Sequence, residues 1–274
     1  MTHYLPGHSE AVTHAHAGRA ASDCAPHLLP HLRPGLKLLD IGSASGQLTQ
    51  DLAARVAPGP VTGIDLAAEA VQAAQADPAR PANLDFRVAD AYALPFDDGT
   101  FDVVHVHQVL HHLADPPAAL REAARVARPG GLLALREADF AAAFWFPACS
   151  AWEEWRAVCQ QMGGAEDMAT DAGRRLPAWL VQAGLAEAAE PENAAAGGPE
   201  IQISSSTWTD PGFAPPAEIA RSWTERLTGH HLADRAAADR AALAATAQGL
   251  IEWARQPTAF FAMPHIEALV RLPA

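Results

Sequence analysis

Ten residues, Leu38-Leu39-Asp40-Ile41-Gly42-Ser43-Ala44-Ser45-Gly46-Gln47, constrain this chain more than any other stretch. An apolar run closes on an acid and a loop of small residues follows. Leu48, Leu52 and Val56 then recur at i, i+4 and i+8. That order reads as a buried strand, a tight turn and a helix, the first half of a βαβ unit. Gly42 and Gly46 permit positive φ or the close approach of a ligand, which a Cβ would block. In an open α/β sheet such a loop lies outside the carboxyl ends of the strands, where ligands bind.

The alternation then repeats. A strand over 36–41 and a helix over 46–57 stop at Pro58-Gly59-Pro60. A strand over 61–64 closes on Asp65, and its helix over 67–76 is stopped by Asp77-Pro78. Leu84 to Val88 forms a third strand running into Ala89-Asp90-Ala91, and Phe101 to Val106 a fourth. Asp115 caps a helix with Pro116 and Pro117 in its first turn, a favoured place for proline. That helix reaches about Ala127, and after Pro129-Gly130-Gly131 a fifth strand spans Leu132 to Arg136. Beyond Ala138 the pattern changes. Trp152, Trp155, Cys159 and Met162 share one apolar helical face and are assigned to core rather than to a substrate wall. A helix over 172–183 ends at Gly184, a small acidic loop fills 187–200, and Ile201 to Ser206 alternates as a strand. Helical stretches near 215–228 and 233–255 precede a last strand near 266–271. At the front, a short helix around 18–29 is broken by Pro26, Pro30 and Pro34. The expected fold is α/β, a doubly wound, mostly parallel seven-stranded sheet with a helical N-terminal lid and helical C-terminal insertions.

At 274 residues, 49% hydrophobic and 19% charged, the chain has the balance of a soluble enzyme with a sizeable core. A formal charge of -13 argues against a nucleic-acid partner, which calls for clustered Lys and Arg. No apolar run approaches a membrane span of roughly 18 residues, and no basic-then-apolar leader opens the chain, so no membrane partner is expected. Cys24, Cys149 and Cys159 lack metal-ligand spacing and point to a reducing, cytoplasmic setting. His14 and His16 have no nearby carboxylate or third ligand, so no metal is assigned.

Asp40, Asp65 and Asp90 stand at the ends of the first three strands, which share one edge in a parallel sheet, so the three carboxylates are expected to line one crevice. Asp65 follows Gly46 by 19 residues, the distance at which an acid at the second strand's end meets ribose hydroxyls. For Asp65 alone, a helix N-cap is close to an even alternative. The loop lacks the G-x-G-x-x-G order of a dinucleotide site, which weighs against a nicotinamide-dependent dehydrogenase. It also lacks the Lys-Ser/Thr pair of a triphosphate loop.

The run Leu39 to Gly46 resembles motif I of class I S-adenosylmethionine-dependent methyltransferases. Gly63-Ile64-Asp65, Ala89-Asp90-Ala91 with Leu94-Pro95-Phe96, His107-Gln108-Val109-Leu110-His111-His112-Leu113 and Arg128-Pro129-Gly130-Gly131 resemble later motifs. Their order and spacing over 36–138 are similar to the UbiE-like branch (methyltransferase type 11). Tyr4-Leu5-Pro6-Gly7-His8 and Arg136-Glu137-Ala138-Asp139 are similar to a microbial small-molecule subgroup of it. The resemblance implies a Rossmann-like cofactor core over 36–138, a lid over 1–35, and the rest of the sheet with an acceptor cap over 139–274. It implies S-adenosylmethionine as cofactor and S-adenosylhomocysteine as product. Asp40, Gly42, Ser43, Ala44, Gly46 and Gln47 would hold the methionine end. Asp65 would bind ribose, with Leu66 against the adenine face, while Asp90 and the Ala91 amide would meet the adenine edge. His107 and Gln108 would lie near the sulfonium, and Tyr4 and His8 would close over it. Many relatives carry glycine where Ala44 stands.

The reaction needs alignment and exclusion of water more than covalent help, and alignment supplies about 7–11 kcal/mol at best. His107 is the first candidate for a general base and His112 the second. His105, inside the fourth strand, is expected to be a satisfied core histidine. Arg136, Glu137 and Asp139 are the candidates for binding a polar acceptor, or else pair with one another. The function expected is methyl transfer to a small-molecule acceptor, in secondary metabolism. The rival is a fold relative that uses the cofactor structurally in a rearrangement or cyclisation. A homodimer is left open.

Overall fold

The computed structural model describes residues 20–165, 169–186, 200–209, 220–221, 224 and 237–274. Tyr4, His8, His14 and His16, the loop at 187–199 and most of the helix expected near 215–228 lie outside the described residues.

Strands β1 (Leu38–Ile41), β2 (Val61–Asp65), β3 (Leu84–Val88), β4 (Phe101–His107) and β5 (Ala127–Ala138) run parallel. Helices α2 (Gln47–Val56), α3 (Ala68–Ala76) and α4 (Pro116–Val126) alternate with them, and a short α1 (Ala21–Cys24) precedes them. Later come β6 (Phe144–Phe146), α5 (Ser150–Ala165), α6 (Ala172–Gln182), β7 (Glu200–Thr209), α7 (Ala237–Ala254) and β8 (Phe260–Arg271). The described strands form one sheet in the order β3-β2-β1-β4-β5-β8-β6, with β7 also paired to β8. β8 is antiparallel to β5, β6 and β7.

The doubly wound architecture is as expected, but the described residues form eight strands where the pattern indicates seven. β8 starts six residues before the expected 266, and its first residues pair with β6, Phe146 opposite Phe260. Three residues are too few for an alternation to register. β5 likewise outruns 132–136: an isolated pairing of Ala127 with Phe101 precedes a register shift, and its pairing with β8 continues to Ala138.

Each sheet face buries its own core. On one side Leu39, Ile41, Val104, Val106 and Leu135 pack under α4 and α6. On the other, Leu38, Val103, Leu132 and Leu269 pack under α2, α3 and the segment at 20–32, whose Ala21, Cys24, Ala25 and Leu28 are buried. That part of the expected lid is therefore sheet-packed core, and Asp51 accepts from its Ala21 amide at 2.7 Å. A third core joins α5 to α7 around Trp152, whose ring lies 5.4 Å from Trp253 and 4.5 Å from Phe261. Trp152 and Trp155 are fully buried, as a core assignment requires.

The order in which strands are added reverses at β1, which has β2 on one side and β4 on the other, all three parallel. A crevice opens at the carboxyl ends of strands at such a switch point. There the chain passes from Ile41 into its glycine loop.

Candidate functional site

Gly42 turns the chain out of β1 at φ +76, and the Gly42 and Ser43 amides donate to Ile64 O at 2.8 and 2.9 Å. A Cβ on Gly42 would come within 2.2 Å of Val109 Cγ2, so the loop after β4 leaves room for no side chain there. Ala44 takes φ +46 and Gly46 φ +87, and Gly46 starts α2. The result is a small open cleft lined by Asp40, Gly42, Ser43, Ala44, Ser45, Gln47, Leu48 and His107. Asp40, Gly42, Ser43, Ala44, Gln47 and His107, all picked from sequence, are thus brought together. Gly46 shapes the turn without lining the cleft.

The three acids divide. Asp40, almost fully buried, lines the cleft while its Oδ1 meets His105 Nδ1 at 2.7 Å and its Oδ2 accepts from Thr49 Oγ1 at 2.5 Å. Asp65 accepts from the Ala44 amide through Oδ2 and the Ala67 amide through Oδ1, both at 2.9 Å. It braces the loop and closes the turn into α3. Exposed Asp90 accepts from the Tyr92 amide at 2.9 Å, two residues past the end of β3. Asp65 and Asp90 share the sheet edge with Asp40 but lie beyond the lining of the loop cleft itself. The cause is their own turns, which draw both side chains onto backbone amides. Beside them Leu66 and Val88 are exposed at 55% and 52%, two apolar surfaces at neighbouring strand ends; Val88 was missed by the sequence reading. Ala91 is half-buried just beyond.

β4 delivers the other wall. His107, its last residue, is buried and stacks parallel to His105 with ring centroids 6.1 Å apart. Gln108 follows at φ +54, its amide donating to Arg136 O and its Nε2 lying 2.8 Å from His265 Nε2 of β8.

Residues 39–135 match the family described as methyltransferase domain. A methyltransferase of Schizosaccharomyces pombe is 32% identical over 235 residues, covering 82% of this chain and 78% of that protein. This chain belongs to the methyltransferase family. The 27-O-demethylrifamycin SV methyltransferase of Amycolatopsis mediterranei is 42% identical over 133 residues, 46% of this chain and 47% of its own length. Among solved structures, the [4+2]-cyclase SpnF superposes with a TM-score of 0.54 at 23% identity, over 90% of this chain and 80% of its own, a likeness of fold.

S-adenosylmethionine is the methyltransferase's cofactor. The cleft suits it: Ser43 Oγ is buried there with no hydrogen-bond partner among the described residues, and a buried hydroxyl calls for one. Among the described residues no cluster of His, Cys, Asp or Glu could hold a metal ion, and no helix is long and apolar enough to cross a membrane.

The methyltransferase commits the three residues assigned to the acceptor elsewhere. Arg136 lies within β5, its Nε 3.2 Å from Glu267 Oε1 and its Nη2 3.2 Å from Ser206 Oγ. Glu137 is fully buried and accepts from the Val109 amide at 2.9 Å, the Leu110 amide at 2.7 Å and His111 Nδ1 at 2.7 Å. Asp139 holds Arg174 through both oxygens, at 2.6 and 2.8 Å, and caps the turn at Ala142. The expectation that they face a polar acceptor, or pair with one another, is replaced by these partners. β5 runs two residues further than its pattern shows and carries Arg136 and Glu137 inside the sheet.

His112 is half-buried, with its ring 3.8 Å from that of His111. His265, Glu267 and His27 were missed. His265 and Glu267 alternate on β8, which a period of two would reveal, but nothing local names their partners. His27 sits with its Nδ1 3.8 Å from Glu267 Oε1, and neither ring nitrogen has a hydrogen-bond partner among the described residues. Burial lowers its pKa from 6.5 to about 4; Glu267 opposes the shift, while His105, Arg136 and His31 add to it.

Proposed function

We propose that this enzyme methylates a small-molecule acceptor of secondary metabolism in the cytoplasm, with the loop of Gly42–Gly46 on one side of the reacting atoms and His107 on the other. The observation that carries this reading is the single cleft shared by Asp40, the loop and His107. The net charge of -13 and the relative named for 27-O-demethylrifamycin SV support a small acceptor over a nucleic acid. Asp40 and Gln47 face the methionine arm, Asp65 the ribose, Leu66 and Val88 the adenine faces, Asp90 and Ala91 its edge. Bound S-adenosylmethionine supplies a methyl already activated by positively charged sulfur. The chain's own work is to hold the acceptor in line, keep water out and take the proton an acceptor hydroxyl releases. His107, which lines the cleft, is our candidate for that last task, worth typically about 10²–10⁴-fold.

The test uses S-adenosylmethionine labelled with deuterium in its methyl group and a small-molecule extract. Label recovered in one low-mass product supports the reading; label confined to protein or nucleic acid overturns it, as does a substrate that rearranges while the cofactor stays intact. With the acceptor in hand, Asp65→Ala is expected to weaken cofactor binding more than His107→Ala, and His107→Ala to slow single turnover more. The reverse order would overturn the assignment of roles.

A further inference from the structure

We propose that His105 is a positioning residue that sets the Asp40 carboxylate toward the amino group of the cofactor's methionine arm. This rests on the reading of Asp40 as that group's partner.

His105 is fully buried in β4 between Val103, Val104 and Val106, each also buried. An imidazole in such surroundings is costly unless both nitrogens are satisfied. Among the described residues Nδ1 has Asp40 Oδ1 as its partner at 2.7 Å and the buried Nε2 has none. Where the sequence reading expects a satisfied core histidine, the described residues satisfy one of its two nitrogens. What the cost supports is the grip on Asp40, which stands directly opposite His105 in the β1–β4 register.

The geometry of that grip is specific. An ionised carboxylate only accepts, so the Nδ1 hydrogen points at Asp40, and Thr49 Oγ1 donates to the other oxygen. One donor on each oxygen fixes the plane of the carboxylate at the cleft wall. About four lone-pair sites serve the two oxygens, which leaves acceptor capacity for a cation in the cleft. Thr49, on α2, follows from the helix that the glycine loop opens. His105 comes from a different strand and has no such reason to be there.

The experiment measures, by calorimetry, the affinity of the full chain for S-adenosylhomocysteine and for 5′-methylthioadenosine, which lacks the amino-acid arm. His105→Val is expected to weaken S-adenosylhomocysteine by about tenfold or more, the scale of a lost hydrogen bond to a charged group, and to leave 5′-methylthioadenosine unchanged. His105→Asn, whose amide restores a donor near the Nδ1 position, is expected to recover most of the loss. Equal weakening of both ligands, or of neither, would overturn the proposal and leave His105 a structural residue. Asp40→Asn separates the two levels: if it fails to discriminate between the ligands, the reading of Asp40 fails and the proposal with it. If it discriminates and His105→Val does not, the proposal alone fails. Should His105→Val not fold, the Nδ1 proton resonance of the unmodified protein decides. It is expected to move with S-adenosylhomocysteine and not with 5′-methylthioadenosine, and a shift common to both ligands overturns the proposal.

Discussion

Ala44 holds a left-handed conformation, φ +46, between two glycines that hold theirs without a Cβ. Its amide is anchored on Asp65 Oδ2 at 2.9 Å, so the loop imposes the conformation against the residue's own preference. For an L-residue that conformation costs about 1–2 kcal/mol. Glycine would remove the strain while adding unfolded-chain entropy worth roughly 0.4–1 kcal/mol. Ala44→Gly is therefore expected to stabilise the protein by about 1 kcal/mol or slightly less, seen as a higher urea midpoint at unchanged slope. A lower midpoint would mean that the Ala44 methyl packs usefully in the cleft wall. At this scale the sequence was informative about residue type and silent about partners. The small residues of the loop announced a turn at a ligand. That the Asp65 carboxylate braces that turn depends on two strand ends meeting, which no spacing within one strand encodes.

Glu137 does for the loop after β4 what Asp65 does for the loop after β1. Its two oxygens take the Val109 and Leu110 amides and His111 Nδ1, fixing the turn that places Val109 against Gly42 and His112 beside His111. Glu137→Ala removes the acceptor altogether and leaves the Val109 and Leu110 amides and the His111 ring without it. The expected loss is about 3 kcal/mol, measured by urea unfolding; a change below about 1 kcal/mol would show that the turn stands without the carboxylate. Elements with a strong local period were legible in order and kind: β1 to β4, α2 to α4, and α6 fall within a residue or two of the pattern. What escaped depended on pairing. β6 exists because β8 lies beside it, and β5 reaches Ala138 because β8 extends its ladder. Arg136 looked like the strand's last residue and Glu137 like the first of a loop for that reason, and their assignment to the acceptor followed from a strand end placed too early.

Across the whole molecule, a polar contact ties the N-terminal segment to the C-terminal strand. His27, on the segment that covers the α2 face, lies against Glu267 of β8, which also takes Arg136, Ser204 and Ser206. A single carboxylate thus faces one guanidinium, two hydroxyls and an imidazole, with His105 and His31 close enough to act on the imidazole. Burial outweighs Glu267, and the pKa of His27 falls to about 4 from its ordinary 6.5. The unfolded chain therefore takes up this proton as pH drops below about 6.5, while the folded chain resists until near 4. Stability contributed by the neutral ring is full above pH 6.5 and is lost on acidification through that window, by roughly 3 kcal/mol in all. His27→Gln removes the titration, so the gap in urea midpoint between wild type and variant is expected to narrow or reverse between pH 7 and pH 4.5. Carboxylates elsewhere titrate in both proteins and cancel in that comparison. A gap that stays constant with pH would place the proton uptake on other groups and leave His27 as packing alone.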